Sequence, residues 1–194
     1  MTEREVLLTG IGGQGVQLAA QVLARAAVLD GRHVLLFGVY GGAMRGMNTD
    51  ATVVIGDAPV EAPPLLARAW SAIAMHDRYW GPVAPKVRDA ALVLVNDTTF
   101  HGDVVDLHGE VRRIRANELA TDAGNELAAS MVIVGAYVGL TGIVGVDALL
   151  GGMRESVPPY RHQHLAVNEA ALRAGLDAVD ALAVPAWDTE PAPA

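Results

Sequence analysis

The sequence predicts an α/β fold: three layers, with a mostly parallel, Rossmann-like sheet and a helical C-terminal part. Short apolar runs that end in glycine or polar residues recur through the first half of the chain. Such runs are typical of strands buried on both faces of a parallel sheet. The first run is followed by a segment with apolar residues at helical spacing, and helical patterns dominate from residue 116 onward. A strand, a helix and a second strand in succession predict a βαβ unit with a right-handed crossover.

The elements are predicted in chain order from these runs. Five buried strands are expected at 4–10, 33–42, 49–57, 71–77 and 90–97, and two edge strands are expected within 103–116. The first helix follows the first strand and stops at Gly31, a residue common at helix ends. Further helices are expected at about 116–124, 128–141, 146–155 and 162–183. We expect a single domain over residues 1–184 and a disordered, Pro- and Ala-rich tail over 185–194.

Composition excludes several functions. The 194 residues include no cysteine, so the chain offers no thiolate for an iron–sulfur cluster and no thiol nucleophile. The net charge is -8 and Lys86 is the only lysine, which argues against nucleic-acid binding. The uncharged stretch 131–146 is shorter than the ~20 residues that span a bilayer, so a buried helix is expected there and no membrane contact. The charged N-terminus does not resemble a secretory signal, which favours the cytoplasm.

A glycine-rich turn joins the first strand to the first helix. Gly10, Gly12 and Gly15 reproduce the spacing of the dinucleotide fingerprint, and Gly13 and Gln14 lie within it. Glycines let the backbone approach a ligand closely, and the first amides of the helix then face an anion. The alternative is that these glycines only allow close packing of strand and helix.

The second half of the dinucleotide fingerprint is missing. An NAD site needs an acidic residue at the end of the second strand, to bind the ribose hydroxyls. This strand ends in Gly38, Val39 and Tyr40, without an acid and without an arginine for a 2′-phosphate. A stand-alone NAD(P)- or adenine-nucleotide-binding protein is therefore the second interpretation.

The loop after the second strand carries polar residues on the ligand side of the predicted sheet. Arg45 offers a bidentate fork for phosphate or carboxylate, and Asn48 offers a neutral hydrogen-bonding group. If the first two strands are parallel neighbours, this loop and the glycine turn open on the same edge of the sheet. An anion between them would meet both the helix amides and Arg45. The alternative is an arginine exposed in a mobile loop.

Three segments together carry a family resemblance. Gly10 to Val16, the stretch from Tyr40 to Met47, and Gly124-Asn125 resemble the gamma subunit of 2-oxoacid:ferredoxin oxidoreductases, in the same order along the chain. In the second segment Tyr40, Gly41, Arg45 and Gly46 agree with the family pattern. Gly42, Ala43 and Met47 depart from it, where the family has proline, glutamate and glycine.

The resemblance implies a subunit of a larger enzyme rather than an enzyme by itself. Such complexes decarboxylate a 2-oxoacid on thiamine diphosphate with Mg²⁺, pass electrons through iron–sulfur clusters and transfer the acyl group to coenzyme A. The implied partners are alpha and beta subunits, which bind thiamine diphosphate, and a ferredoxin-like iron–sulfur subunit or domain. The gamma subunit is expected to shape the active-site entrance and the coenzyme A site. Of the predicted binding residues, Gly12, Gly13, Gln14, Gly15, Tyr40 and Arg45 lie in the matching motifs, and Asn48 is predicted from its place in the polar loop.

Other titratable residues are expected to be structural. His76 and Asp77 follow the fourth strand, but adjacent residues rarely act together as base and orienting group. His162 and His164 are two residues apart, and on a helix this spacing points them to different sides. We therefore predict no catalytic residue and no metal site in this chain.

Overall fold

The computed structural model describes residues 2–40, 46–61, 68–104 and 109–187. Six strands form one sheet, and five α-helices follow the predicted order. The strands are β1 (Glu3–Ile11), β2 (His33–Tyr40), β3 (Asn48–Gly56), β4 (Ala69–Ala74), β5 (Val87–Asn96) and β6 (Glu110–Ile114). The helices are α1 (Val16–Leu29), α2 (Ala116–Asp122), α3 (Ala129–Thr141), α4 (Val146–Ser156) and α5 (Leu165–Asp177).

The sheet is mostly parallel, as predicted. Its strand order is β2-β3-β1-β4-β5-β6, and the pairs β1/β4, β4/β5 and β5/β6 are parallel. Strand β3 runs antiparallel to both β1 and β2, so β1 and β2 point in the same direction. Of the two edge strands predicted within 103–116, the described residues contain only β6.

One topological prediction is wrong: β1 and β2 are not neighbours. Strand β3 returns between them, with Thr49 opposite both Gly10 and Tyr40. The chain reverses directly after β2, at the carboxyl ends of the parallel strands. The glycine turn after β1 and the loop after β2 therefore still open on the same edge, which we call the carboxyl edge.

The α-helices lie in two layers on one face of the sheet. Helices α1 and α3 pack on the strands, while α4 packs on α1 and α5 packs on α3. Sheet, inner helices and outer helices make the three predicted layers. The opposite face over β4 and β5 is covered by irregular chain, whose Trp80, Val83 and Phe100 pack on the alternate side chains of these strands.

Helix α3 is the apolar stretch that the sequence predicts to be a buried core helix. All but one of its 13 residues are buried. Its Tyr137 hydroxyl lies 2.7 Å from the Ser71 hydroxyl of β4, and burial raises the pKa of Tyr137 above its ordinary value. In the described part of the chain, no helix is long and apolar enough to cross a membrane.

Packed chain extends slightly beyond the predicted domain boundary at residue 184. The Ala186 amide donates to the Thr141 carbonyl over 2.7 Å, and the indole of Trp187 donates to the Ile143 carbonyl over 3.0 Å. The guanidinium of Arg32 stacks on Trp187, 4.0 Å from the ring centroid. Of the predicted tail, residues 185–187 are thus part of the fold, and 188–194 lie outside the described residues.

The crossing of α3 and α5 depends on two facing glycines. A Cβ added to Gly135 would lie 2.0 Å from the Leu172 carbonyl oxygen, and one added to Gly175 would lie 2.0 Å from the Val132 carbonyl oxygen. Both obstacles are backbone atoms, which cannot move aside as the end of a side chain can. The two helices therefore approach as closely as their backbones allow.

We predict that Gly135→Ala destabilises the chain by about 1–3 kcal/mol or more, because the added methyl group forces the two helices apart. Urea unfolding followed by circular dichroism measures this difference. Gly81→Ala is the control, since a Cβ at Gly81 meets nothing within 4 Å. Equal unfolding midpoints for the two variants would contradict the packing described here.

Candidate functional site

The glycine turn after β1 is joined by its backbone to the start of β3. The Gly12 amide donates to the Met47 carbonyl over 2.8 Å, and the Gly46 amide donates to the Gly12 carbonyl over 3.1 Å. Gly46 has a φ of 84°. These two bonds hold the turn against the end of the loop that follows β2, as the shared carboxyl edge requires.

The N-terminus of α1 has the features of an anion site. Helix α1 starts after Gly15, which has a φ of 78°, and no side chain caps it. Its first turn contains no acidic residue. The first amides of a helix lack intrahelical partners, and the helix dipole favours a negative charge beside them.

Gly13 and Gly15 differ in what surrounds them in the turn. Gly13 has a φ of 107°, and a Cβ added there meets nothing within 4 Å. Its backbone thus faces open space, where a ligand or partner can approach. A Cβ at Gly15 would lie 2.5 Å from Oγ of Ser130 near the start of α3. Gly15 is therefore needed for packing, whereas the approach of a ligand at Gly13 stays a prediction.

Gln14 ties the turn to two other strands. Its Oε1 accepts a bond from the Ile11 amide over 3.0 Å. Its Nε2 donates to the Met75 carbonyl over 3.1 Å and to Oγ1 of Thr99 over 3.3 Å. The side chain predicted to contact a ligand thus joins the ends of β1 and β4 to the loop after β5.

Asn48 belongs to a polar cluster around Asp50. The carboxylate of Asp50 accepts bonds from the Thr9 hydroxyl over 2.7 Å and from Nδ2 of Asn48 over 2.8 Å. Gln17 in the first turn of α1 donates to the Asp50 carbonyl over 2.7 Å. Oδ1 of Asn48 is buried and accepts no hydrogen bond from the described residues. Asp50 could have been identified from the sequence, because it is a lone acidic residue within an apolar strand.

The remaining predicted residues lie at the end of β2 and beyond it. Tyr40 ends the strand, opposite Thr49 of β3. Arg45 lies outside the described residues, as do Gly42 and Ala43, two of the departures from the family pattern. The structure thus brings the glycine turn, Asn48 and the end of β2 to one edge.

A cavity of about 190 Å³ opens beside the turn. Gly13, Gln14 and Met75 form one side, and Asn117, Glu126, Leu127 and Ala129 form the other. Nδ2 of Asn117 donates to Glu126 over 3.2 Å, so this carboxylate has a partner within the chain. Sequence reasoning missed this side because its members come from two separate helical segments.

His76 and Asp77 contact each other, although adjacent residues rarely pair as a base and its orienting group. Nδ1 of His76 lies 2.9 Å from Asp77, whose Oδ2 accepts the His101 amide over 3.1 Å. Burial opposes ionisation of Asp77, but the His101 amide and the charge of His76 outweigh it and lower the pKa of Asp77. Within the described ranges, no group of three or more residues can hold a metal ion.

Comparison with known proteins identifies close similarities over nearly the whole chain. The sequence profile of the family "Pyruvate ferredoxin/flavodoxin oxidoreductase" matches residues 5–178. The 2-oxoglutarate synthase subunit KorC of Methanothermobacter thermautotrophicus is 31% identical over 91% of this chain and 95% of its own length.

Two solved structures are similar in both sequence and fold. The pyruvate oxidoreductase subunit PORC of Thermotoga maritima has a TM-score of 0.74 at 25% identity, covering 91% of this chain and 97% of its own. The gamma subunit of a keto/oxoacid ferredoxin oxidoreductase from Geobacter sulfurreducens has a TM-score of 0.72 at 25% identity, covering 90% and 96%.

Substitution can distinguish the roles of Gly13 and Gly15 in the turn. Both have a positive φ, so alanine at either position costs about 1–2 kcal/mol of backbone strain. We predict that Gly15→Ala costs roughly 1–3 kcal/mol more than Gly13→Ala, because only the Gly15 methyl group meets Ser130. Chemical unfolding of both variants measures the difference. A larger loss for Gly13→Ala would show that Gly15 does not pack as described.

Proposed function

Because the chain belongs to the pyruvate ferredoxin/flavodoxin oxidoreductase family, we propose that it is the gamma subunit of a multi-subunit 2-oxoacid:ferredoxin oxidoreductase. The complex oxidatively decarboxylates a 2-oxoacid to an acyl-CoA. The observation that carries this proposal is the extent of the match. The chain aligns with 95% of the 2-oxoglutarate synthase subunit and 97% of the pyruvate oxidoreductase subunit, so the match extends over nearly the whole length of both.

The composition supports a division of labour between subunits. The absence of cysteine means that thiolate ligands of iron–sulfur clusters come from other chains. We assign thiamine diphosphate and Mg²⁺ to the alpha and beta subunits, and the clusters to a ferredoxin-like subunit or domain. The similar proteins are named for 2-oxoglutarate and pyruvate, so the proposed substrate of the complex is a 2-oxoacid, without a narrower choice.

The carboxyl edge fits a part in coenzyme A binding. Coenzyme A, when bound, supplies the thiol that accepts the acyl group and carries several phosphates. The uncapped first turn of α1 offers amide donors to a phosphate, and the backbone at Gly13 is open to approach. In this proposal Gly12, Gly13 and Gly15 place those amides, while Gln14 and Asn48 hold the turn and the start of β3 in position. We propose that Tyr40 and Arg45 contribute from the end of β2 and the loop after it.

The alternative, a stand-alone nucleotide-binding protein, has less support. An NAD-binding fold of this kind uses an acidic side chain at the end of the second strand. In this chain that strand ends in Tyr40 and is followed by β3 in antiparallel pairing. The three relatives named above are subunits of larger enzymes.

We predict that the chain is inactive alone and becomes part of an active complex when its partner subunits are present. The test is to purify the tagged chain from its native cells and measure 2-oxoacid- and coenzyme A-dependent reduction of ferredoxin. Larger subunits with thiamine diphosphate and iron–sulfur clusters are expected to co-purify. Turnover by the chain alone, with a nicotinamide cofactor, would instead support the alternative.

We predict that Arg45→Ala raises the apparent KM for coenzyme A while leaving the complex assembled. Loss of a charge-assisted hydrogen bond to phosphate costs about 1.5–3 kcal/mol, or roughly 10–150-fold in that constant. Steady-state kinetics gives the constant, and size-exclusion chromatography reports assembly.

Arg115→Ala is the matched control, because Arg115 is an exposed arginine directly after the edge strand β6, with Glu118 as its partner at 3.1 Å. Weakened assembly with an unchanged KM would mean that Arg45 binds a partner subunit instead. If Arg45→Ala changes neither quantity, Arg45 has no part in the site.

A further inference from the structure

A second cavity of about 560 Å³ lies on the helical side of the molecule, next to the carboxyl edge. It lies between the first half of α1, the turn Glu126–Ala128, the end of α4 and the turn Pro159–His164. We call it the α1–α4 groove. Leu127 lines both this groove and the smaller cavity beside the glycine turn, and it is 83% exposed. The two cavities are thus adjacent.

The groove has an apolar part to its lining. Leu18, Ala128 and Val157 line it, and the last two are themselves buried in the core. Together with the exposed Leu127, they offer a surface that removes apolar atoms of a ligand from water. Burial of such atoms contributes a favourable free energy of about 25 cal/mol per Å² of apolar surface removed from water.

The groove lining also carries hydrogen-bond donors that the fold does not use. The side chains of Gln21, Arg161 and Asn168 line the groove, and none of them bonds to another described residue. Asn125 uses its Oδ1 to accept the Leu127 amide over 3.0 Å, while its Nδ2 has no partner among the described residues. Four donor side chains therefore line one cavity, and each comes from a different element: α1, the segment before Glu126–Ala128, the turn Pro159–His164 and α5.

The charge of the groove is unusual for this chain. Its lining contains Arg161 and His164 and no carboxylate, although the net charge of the chain is -8. Many arginines elsewhere have acidic partners, as in Arg88 with Glu5, Arg113 with Asp97 and Arg154 with Glu169, whereas Arg4, Arg32 and Arg78 contact aromatic rings as Arg161 does. Across the described part of the chain, no carboxylate lies within 4.0 Å of Arg161, whose guanidinium stacks on Tyr160 at 5.5 Å. Stacking leaves its N–H donors free to bind an anion.

We propose that the α1–α4 groove binds a small organic anion, with a carboxylate or phosphate at Arg161 and the amide donors and an apolar body along Leu18, Ala128 and Val157. The volume lies within the range of small-molecule sites, and few polar groups beside an apolar wall are typical of them. The groove does not depend on the proposed function, and only the choice of probes rests on that function.

The test is isothermal titration of the full-length chain with three probes. 4-Methyl-2-oxopentanoate has a carboxylate and an apolar branch, 2-oxoglutarate has two carboxylates and no branch, and coenzyme A has phosphates. Binding of the first probe in preference to the second identifies a carboxylate ligand with an apolar body. Binding of coenzyme A alone identifies a phosphate ligand.

Arg161→Gln is expected to weaken the bound probe roughly tenfold or more, because a charge-assisted bond is lost. Leu127→Ala is expected to weaken it by a smaller factor, through lost apolar contact. Both side chains are exposed, so neither change disturbs the core. Arg115→Gln removes the same charge away from the groove and is expected to leave binding unchanged.

Several results would overturn the proposal. It is wrong if no probe binds, or if Arg161→Gln and Arg115→Gln bind a probe equally. If no probe binds and Leu127→Asp prevents assembly with the partner subunits, the groove is instead a protein-docking surface. In that last case the proposed function stands. If the chain never assembles with such subunits, the proposed function is wrong, but the titration still decides whether the groove binds an anion.

Discussion

The carboxyl edge of this protein depends on the side-chain amide of Gln14. A primary amide offers one acceptor and two donor hydrogens, and here it bonds to the Ile11 amide, the Met75 carbonyl and the Thr99 hydroxyl. These groups belong to β1, the end of β4 and the loop after β5. One residue therefore sets where the glycine turn lies relative to two neighbouring strands. The open backbone at Gly13 and the uncapped start of α1 take their positions from that arrangement.

The helical layers determine what can lie beside this edge. Because Gly135 and Gly175 allow α3 and α5 to cross in backbone contact, α5 packs closely on α3 in the outer layer of helices, on the same face of the sheet. The start of α3 then reaches Gly15 through Ser130. The preceding turn carries Leu127 outward, between the two cavities. A packing constraint far from the edge thus shapes the surface next to it.

The sequence predicted most of the fold because its signals are local. Buried strands appear in the sequence as apolar runs. The helices α2, α3 and α4 begin and end within two residues of their predicted bounds. The position of β3 was missed because a run of apolar residues shows that a strand is buried but not which strands flank it. The role of Gln14 and the α1–α4 groove were missed for a related reason. Their partners are far apart in sequence, and only the fold brings them together.

The carboxylates of the carboxyl edge favour a binding role over a catalytic one. Asp50 accepts from Thr9 and Asn48, and Asp77 is bound by His76 and the His101 amide. Asp97 pairs with Arg113 at 2.9 Å, and Glu126 accepts from Asn117. A general base must reach a proton of the substrate, whereas each of these carboxylates is already hydrogen-bonded within the chain. The donors with open access are instead backbone amides and neutral or cationic side chains, which bind and orient anions. These donors are the groups on which the proposed binding of an anionic reactant rests.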